Sequence, residues 1–357
     1  MAKTVFVGMS GGVDSSVSAL LLLEQGYNVI GVYMKNWSKD LPGMKCPWAE
    51  DLADAKRVAV KLGIDFEVWD FEKDYREKVV EYMLAEFRKG NTPNPDIMCN
   101  QEIKFKLFYE KAMAAGADYI ATGHYARVER VSGASSLLLR AVDENKDQTY
   151  FLYRISEEAL AHTFFPIGEM LKPEVKKLAA EHHLHNAYKK ESMGVCFVGE
   201  VGMRDFLKQY IDVEPGEIRE IESDRILGYH EGAIFYTIGQ RHGLYLDGEK
   251  GVVNDGMPYY VVKKDLVKNI IYVSKNLNHE AVWTKVLRLR DVLIRGSQEG
   301  RPWNKQVLTR LRHRAPLIPA RFDGEILHFE SEVKRPASGQ SAVLYDDKIC
   351  LGGGIID

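Results

Sequence analysis

Ser10-Gly11-Gly12-Val13-Asp14-Ser15-Ser16 packs two adjacent glycines, three hydroxyls and a carboxylate into one short segment. An apolar run, Thr4 to Val7, precedes it, and Val17, Leu20, Leu21 and Leu23 follow with helical spacing. The segment is therefore expected at a strand-to-helix turn. Unpaired amides at a helix start, with the positive end of the macrodipole behind them, bind anions, and glycines let the backbone approach closely. The hydroxyls add donors. Any Gly-Gly pair after a strand can instead be a plain tight turn; the context and the three hydroxyls favour a phosphate cradle. The segment lacks the Gly-Lys-Ser/Thr ending that holds a transferable γ-phosphate. Asp14 stands there instead, which suits a metal-bridged pyrophosphate. The implied chemistry is cleavage of ATP into AMP and pyrophosphate.

A second segment, Asn91-Thr92-Pro93-Asn94-Pro95-Asp96-Ile97-Met98-Cys99-Asn100, places a carboxylate and a thiol three positions apart. Asn94 and Pro95 read as the cap and first residue of a helix, so Asp96 and Cys99 share one face of its first turn. Helix amides favour a thiolate there and an ionised Asp96 disfavours it. The alternative is structural: Asp96 supplements the cap and Cys99 is a buried core thiol. Cys196, in Glu191-Ser192-Met193-Gly194-Val195-Cys196-Phe197-Val198-Gly199-Glu200, is by itself a buried strand thiol. Paired with Cys99 beside a nucleotide loop, it suggests that one cysteine carries a group and the other resolves it by disulfide exchange.

The elements that must position these residues alternate in type over the first 130 positions, as in an α/β doubly wound parallel sheet. Strands are predicted at Thr4 to Val7, Asn28 to Met34, Asp65 to Asp70 and Tyr119 to Thr122. Helices are predicted at Ser15 to Gln25, Glu50 to Leu62, Asp74 to Arg88 and Asp96 to Ala115. Ligands of such sheets bind outside the carboxyl ends of the strands, which brings Met34, the loop after Asp70, and Gly123-His124 toward the phosphate loop. After about residue 205 short β runs replace helices. One all-β module is expected to include Asp224 to Tyr229, Ile234 to Ile238 and Tyr259 to Val262. Another would include Val282 to Arg290, Gln306 to Arg312, Ile326 to Phe329 and Ala342 to Leu344. The expected units are 1–208, 209–277 and 278–357.

A chain of 357 residues, 45% of them hydrophobic, can bury more than one core. No apolar run reaches the ~18 residues that a membrane span needs, so a protein of the cytoplasm is expected, without membrane contact and as a monomer. The four cysteines, Cys46, Cys99, Cys196 and Cys350, form no Cys-x-x-Cys pair, which argues against structural zinc or iron-sulfur clusters. A net charge of −3 argues against a surface built throughout for nucleic acid. The average hides an asymmetry: residues 281–321 hold ten Lys or Arg against Asp291 and Glu299, a local +8. That density is either a phosphate-backbone footprint or a solvated sheet face.

Several segments resemble the tRNA-specific 2-thiouridylases, ATP-pyrophosphatase-type enzymes that thiolate a wobble uridine. They are Gly8 to Ser16, Val32 to Trp37, Thr92 to Phe105, Thr122-Gly123-His124-Tyr125, Asn145 to Gln148, Cys196-Phe197, Tyr236 to Arg241, Gly339-Gln340 and Leu351 to Gly354. Asp96, Cys99 and Cys196 are the specific part of the likeness. The family pattern usually has Pro where Ser338 stands and Thr where Met193 stands.

The resemblance implies a nucleotide domain, a small central β-rich domain and a C-terminal β-barrel that helps to hold tRNA. By the same likeness Gly8, Met9, Ser10, Gly11, Gly12, Val13, Asp14 and Ser15 hold the ATP phosphates, with Mg2+ accompanying the nucleotide. Met34 and Gly123 contact the nucleoside. Asn94, Pro95 and Asp96 meet the target base. His124, Lys146, Asp147, Gln148, Arg312, His313 and Gln340 contact tRNA. Cys196 carries a persulfide received from a relay protein, Cys99 attacks it, and Asp96 is the acid-base group. The rival readings are an AMP-forming ligase or amidotransferase with a nitrogen nucleophile, and a non-catalytic tRNA-binding protein using ATP only as a conformational ligand.

Overall fold

The structure is a computed structural model that describes residues 2–39, 46–131, 136–190, 202–244, 246, 257–276, 278–296 and 303–357. Cys196 and its neighbours, Met193 included, lie outside the described residues. In β1 (Thr4–Gly8) alternate side chains go to opposite faces. Val5 and Val7 join one core with Val13, Val17, Val29 and Val175, while Phe6 joins another with Val32, Trp69, Phe108 and Ile120. A strand apolar on both faces belongs in the middle of a parallel sheet covered by helices. Accordingly β2 (Asn28–Lys35), β3 (Asp65–Asp70) and β4 (Tyr119–Thr122) are all parallel to it. The chain then forms a hairpin, β5 (Ala126–Arg130) and β6 (Ser136–Arg140), before β7 (Thr163–Phe164) completes the sheet in the order β3-β2-β1-β4-β7.

Two helices match their predicted positions, α1 (Val13–Glu24) and α2 (Trp48–Leu62). The other two are interrupted. α3 (Glu72–Tyr75) passes through a π-helical stretch, Arg76–Val80, into α4 (Glu81–Arg88). α5 (Pro95–Met98) passes through a longer one, Cys99–Leu107, into α6 (Phe108–Ala114). Wide turns of this kind are rare and cluster at functional sites; the longer one begins at Cys99.

The central unit is a four-stranded sheet of β8 (Gly216–Glu220), β9 (Ile226–His230), β10 (Tyr260–Asp265) and β11 (Ile270–Ser274), in the order β10-β11-β8-β9. The strand expected at Ile234 to Ile238 is instead a 3-10 turn, Ala233–Phe235. Side chains take its backbone donors there: Gly232 N–H donates to His230 Nδ1 (3.0 Å) and Ala233 N–H to Asn269 Oδ1 (3.1 Å).

The C-terminal unit consists of β12 (Trp283–Ile294), β13 (Lys305–Arg310), β14 (Ile318–Phe322), β15 (Ile326–Lys334), β16 (Ser341–Asp346) and β17 (Ile349–Ile356). They run in the order β12-β15-β14-β13-β16-β17, and β17 pairs back onto β12 to close an antiparallel barrel around Leu287, Leu289, Phe322, Leu327, Leu344 and Ile356. The expected α/β unit, β-rich middle and C-terminal barrel are thus all present. Unexpected is the hairpin: β6 pairs with β17 through Leu139↔Ile349 and Leu138↔Cys350, so two strands from the α/β unit extend the barrel sheet.

Candidate active site

The phosphate loop leaves β1 at Gly8 and enters α1 at Gly12, which caps the helix without a side chain. Gly11 has φ +76°, and a Cβ there would stand 2.3 Å from the Asp51 carbonyl oxygen. Its hydroxyls largely hold the loop itself. Ser15 Oγ donates to Gly12 O (3.1 Å), as does Ser16 Oγ (2.9 Å), and Asn186 Nδ2 donates to both Gly11 O and Ser16 Oγ at 2.9 Å. From the end of β4, Gly123 lies against the turn: a Cβ there would be 2.5 Å from Ser15 N and 2.7 Å from Asp14 C. Met34, at the end of β2, sits over Gly8, with its Cε 2.8 Å from where a Gly8 Cβ would be.

Asp14 is engaged by a cation. Lys172 Nζ, on a side chain only 8% exposed, donates to both carboxylate oxygens (2.6 and 2.8 Å), and Tyr125 O–H donates to one of them (3.1 Å). The expected metal bridge therefore meets a carboxylate already paired with an ammonium. Among the described residues no group of three His, Cys, Asp or Glu could hold a metal ion.

Asn94 Oδ1 accepts from Asp96 N (3.1 Å) and Ile97 N (3.4 Å), which makes it the cap of α5, with Pro95 at the first position. The cap leaves the Asp96 carboxyl for other work. Burial pushes that carboxyl above the ordinary aspartate value, and Lys104 pulls it partly back. Cys99 is buried, 4% exposed, in the core with Ile97, Ile103 and Phe105. Lys104 also faces His124. Burial first, and then the Lys104 charge, hold that imidazole well below its usual value, while His124 Nδ1 lies 2.7 Å from Thr122 Oγ1 and its ring 5.8 Å from Phe105.

The remaining candidates fall into an inner and an outer group. Asp147 is 1% exposed; it accepts from Thr149 Oγ1 (2.9 Å), Thr149 N and Ala141 N (both 3.3 Å), and pairs with Arg310 at 2.7 Å. Gln148 Oε1 accepts from Tyr125 N (2.8 Å), which ties it to the phosphate-loop side. His313 lies over Phe151, ring centroids 4.5 Å apart, and burial with Arg314 and Arg310 lowers it to about 4. Gln340 Nε2 donates to Thr92 O (2.6 Å), beside the α5 cap. Arg312 is exposed and Lys146 partly so. Of the basic segment, Arg290, Arg295 and Arg310 are committed to partners within the protein, Glu86, the carbonyls of Leu152, Tyr153 and Ile155, and Asp147 respectively. Lys285, Arg288, Lys305, Arg312, Arg314 and Arg321 are exposed.

The family model described as the tRNA methyl transferase HUP domain matches residues 3–200, more than half of the chain. The models for a tRNA methyl transferase PRC-barrel domain and an aminomethyltransferase beta-barrel domain match residues 204–275 and 294–356. A relative from Geobacillus kaustophilus, tRNA-specific 2-thiouridylase MnmA 1, is 47% identical over 99% of this chain and 95% of its own. Proteins named tRNA-specific 2-thiouridylase MnmA from Idiomarina loihiensis and Bacillus subtilis are 46% and 45% identical, over 100% and 99% of this chain and 96% and 94% of theirs. The chain belongs to the tRNA-specific 2-thiouridylase family. In this 2-thiouridylase-family chain, Lys172 and Asn186 join the site without having been singled out in the sequence, and Tyr125, named there only within a matching segment, joins it in a role not assigned to it. Their contacts to the phosphate loop span 158, between 170 and 175, and 111 residues, and no local spacing signals such a contact.

Proposed function

We propose that this protein is a tRNA uridine 2-sulfurtransferase that uses ATP to activate the C2 oxygen of a wobble uridine. What carries the reading is the agreement along essentially the whole chain with proteins named tRNA-specific 2-thiouridylase. The uridine oxygen attacks the α-phosphorus of ATP, the bond to the bridging oxygen breaks, and pyrophosphate leaves with the electron pair. The base oxygen becomes a phosphate ester. Gly8 to Ser15 hold the phosphates, Met34 and Gly123 border the nucleoside, and Lys172, already aimed at Asp14, offsets charge on the departing pyrophosphate. Mg2+ arrives as part of the nucleotide.

Sulfur comes from a persulfide on Cys196, loaded by a persulfide-carrying donor protein. Cys99 thiolate attacks the Cys196 Sγ, the sulfur-sulfur bond breaks, and hydrosulfide departs with the electron pair as a Cys99–Cys196 disulfide forms. Hydrosulfide adds to C2, AMP leaves, and a dithiol reductant reopens the disulfide. Asp96, with its raised pKa, exchanges the proton at the base. Asn94, Pro95, His124, Lys146, Gln148, Arg312, His313 and Gln340 border the path of the tRNA, Asp147 acts by holding Arg310, and the base is flipped out of its loop to reach the pocket. The protein works as a cytoplasmic monomer, and the described residues include no helix long and apolar enough to cross a membrane.

The decisive experiment assays thiolation and tRNA-dependent pyrophosphate release in Cys99→Ser and Cys196→Ser separately. Each is expected to lose thiolation while still releasing pyrophosphate. Full thiolation by either overturns the persulfide scheme; release of pyrophosphate with no requirement for tRNA overturns the choice of acceptor.

A further inference from the structure

The barrel reaches the segment that carries Asp96 and Cys99 from two directions, and both contacts start at one irregularity. Within β12 the register against β17 shifts between Arg290 and Leu293, and Asp291 has φ +49°. A bulge of this kind re-aims neighbouring groups. Arg290 points out of the barrel and its Nη2 donates to Glu86 Oε2 (2.6 Å). The same carboxylate oxygen accepts from Asn91 Nδ2 (2.8 Å), and the Glu86 carbonyl accepts from Asn91 N (3.0 Å). Asn91 opens the loop that leads to the α5 cap. The next residue, Asp291, offers its carbonyl to Arg154 Nη1 (2.9 Å), and Arg154 Nε donates to Gln101 Oε1, two positions beyond Cys99.

These two arms form one cluster. Tyr82, on α4, has its phenol pushed up by burial and by the Glu86 carboxylate, with Arg290 and Arg154 pulling the other way. The Glu86 side chain is 4% exposed and Arg290 is its partner from the barrel. Lys89 Nζ also pairs with Glu86, at Oε1 (2.8 Å), so removing Arg290 leaves the charge partnered from its own helix and frees only the oxygen shared with Asn91 from the barrel. On the reading proposed above, the segment so held is the one that meets the target base.

We propose that the Arg290–Asp291 bulge of β12 is a positioning element for catalysis: it grips the Asp96–Cys99 segment on both flanks and fixes its placement from the barrel that holds tRNA. Arg290 and Arg154 act through Asn91 and Gln101 and touch neither nucleotide nor base. The expectation for Arg290→Met is a kcat for thiolation reduced about tenfold, with the tRNA dissociation constant and the ATP KM within twofold of the parent. Arg290→Lys, which keeps the charge but not the fork, recovers part of the loss. Arg154→Gln, which touches the other arm, shows the same split and covers the case in which Arg290→Met does not fold.

A second readout does not depend on the reaction: alkylation of Cys99 by iodoacetamide, followed on its peptide by mass spectrometry. It rises at least fivefold in both variants when the grip is lost. Faster Cys99 alkylation in a protein that thiolates no tRNA leaves the positioning role standing and removes only the assigned reaction. A tRNA dissociation constant raised tenfold with kcat intact makes Arg290 an RNA contact and overturns the proposal. So do unchanged kcat and alkylation in folded variants.

Discussion

Lys104 governs two groups at once. Its charge lowers both the Asp96 carboxyl, which burial has raised, and the His124 imidazole, which burial has lowered. Lys104→Met therefore moves both upward. If ionised Asp96 is needed, the acid limb of a kcat/KM profile shifts to higher pH, because the charge that favoured the carboxylate is gone. His313 makes a stability prediction with a definite sign. Its folded value of about 4 lies below the ordinary 6.5, so unfolded chain binds the proton more readily. Stability falls as pH drops from 6.5 toward 4, by at most about 3 kcal/mol, and urea titrations of His313→Gln should show a flatter decline. Arg310 and Arg312 separate structure from recognition. Arg310→Met removes the nearer of two cations from buried Asp147, leaving Arg140 Nε at 3.8 Å, and should cost at most about 3–5 kcal/mol of unfolding free energy, while Arg312→Ala leaves stability alone and reduces the salt slope of tRNA binding by about 1. The charge count of residues 281–321 is correct and still misleads. It cannot tell Arg290, Arg295 and Arg310, committed to Glu86, backbone carbonyls and Asp147, from arginines that face water.

At the scale of elements, the strand-loop-helix unit around Ser10 to Ser16 was legible because every signal in it is local. Apolar alternation sets β1, Gly11 and Gly12 set the turn, and Val17 and Leu20 set the inward face of α1. Met34 and Gly123 followed from the rule that ligands lie beyond the carboxyl ends of parallel strands. Gly123 yields the sharpest test: in Gly123→Ala the new methyl collides with the Ser15 amide and the Asp14 backbone. The ATP KM for pyrophosphate release should rise at least tenfold while tRNA affinity is kept. The wide turns at Arg76–Val80 and Cys99–Leu107 were invisible, because helix propensity is the same for either winding and tertiary packing decides between them. β14 and β17 were missed for a related reason. Pro319 in the one and Gly352, Gly353 and Gly354 in the other weaken a strand pattern that the barrel nevertheless enforces.

Across the whole molecule, the three units meet at Asn91 and Thr92. Thr92 N donates to Ser338 O (2.7 Å), Thr92 Oγ1 and Thr237 Oγ1 are 3.3 Å apart, and Lys264 Nζ, lowered to about 8 by burial, donates to Gly90 O (2.8 Å). None of this was readable in the sequence, where Ser338 registered only as a departure from a family pattern. The β5–β6 hairpin was equally hidden, since its partner strand lies about two hundred positions downstream. That pairing has a consequence for birth on the ribosome. β17 has three neighbours to satisfy, β12, β16 and β6, and it is synthesised after all of them. Until it emerges, the barrel is an open sheet and the nascent first unit carries a β6 edge ready to pair with a stranger. The nucleotide domain thus waits, through the translation of everything between, for one glycine-rich strand to make it safe from aggregation.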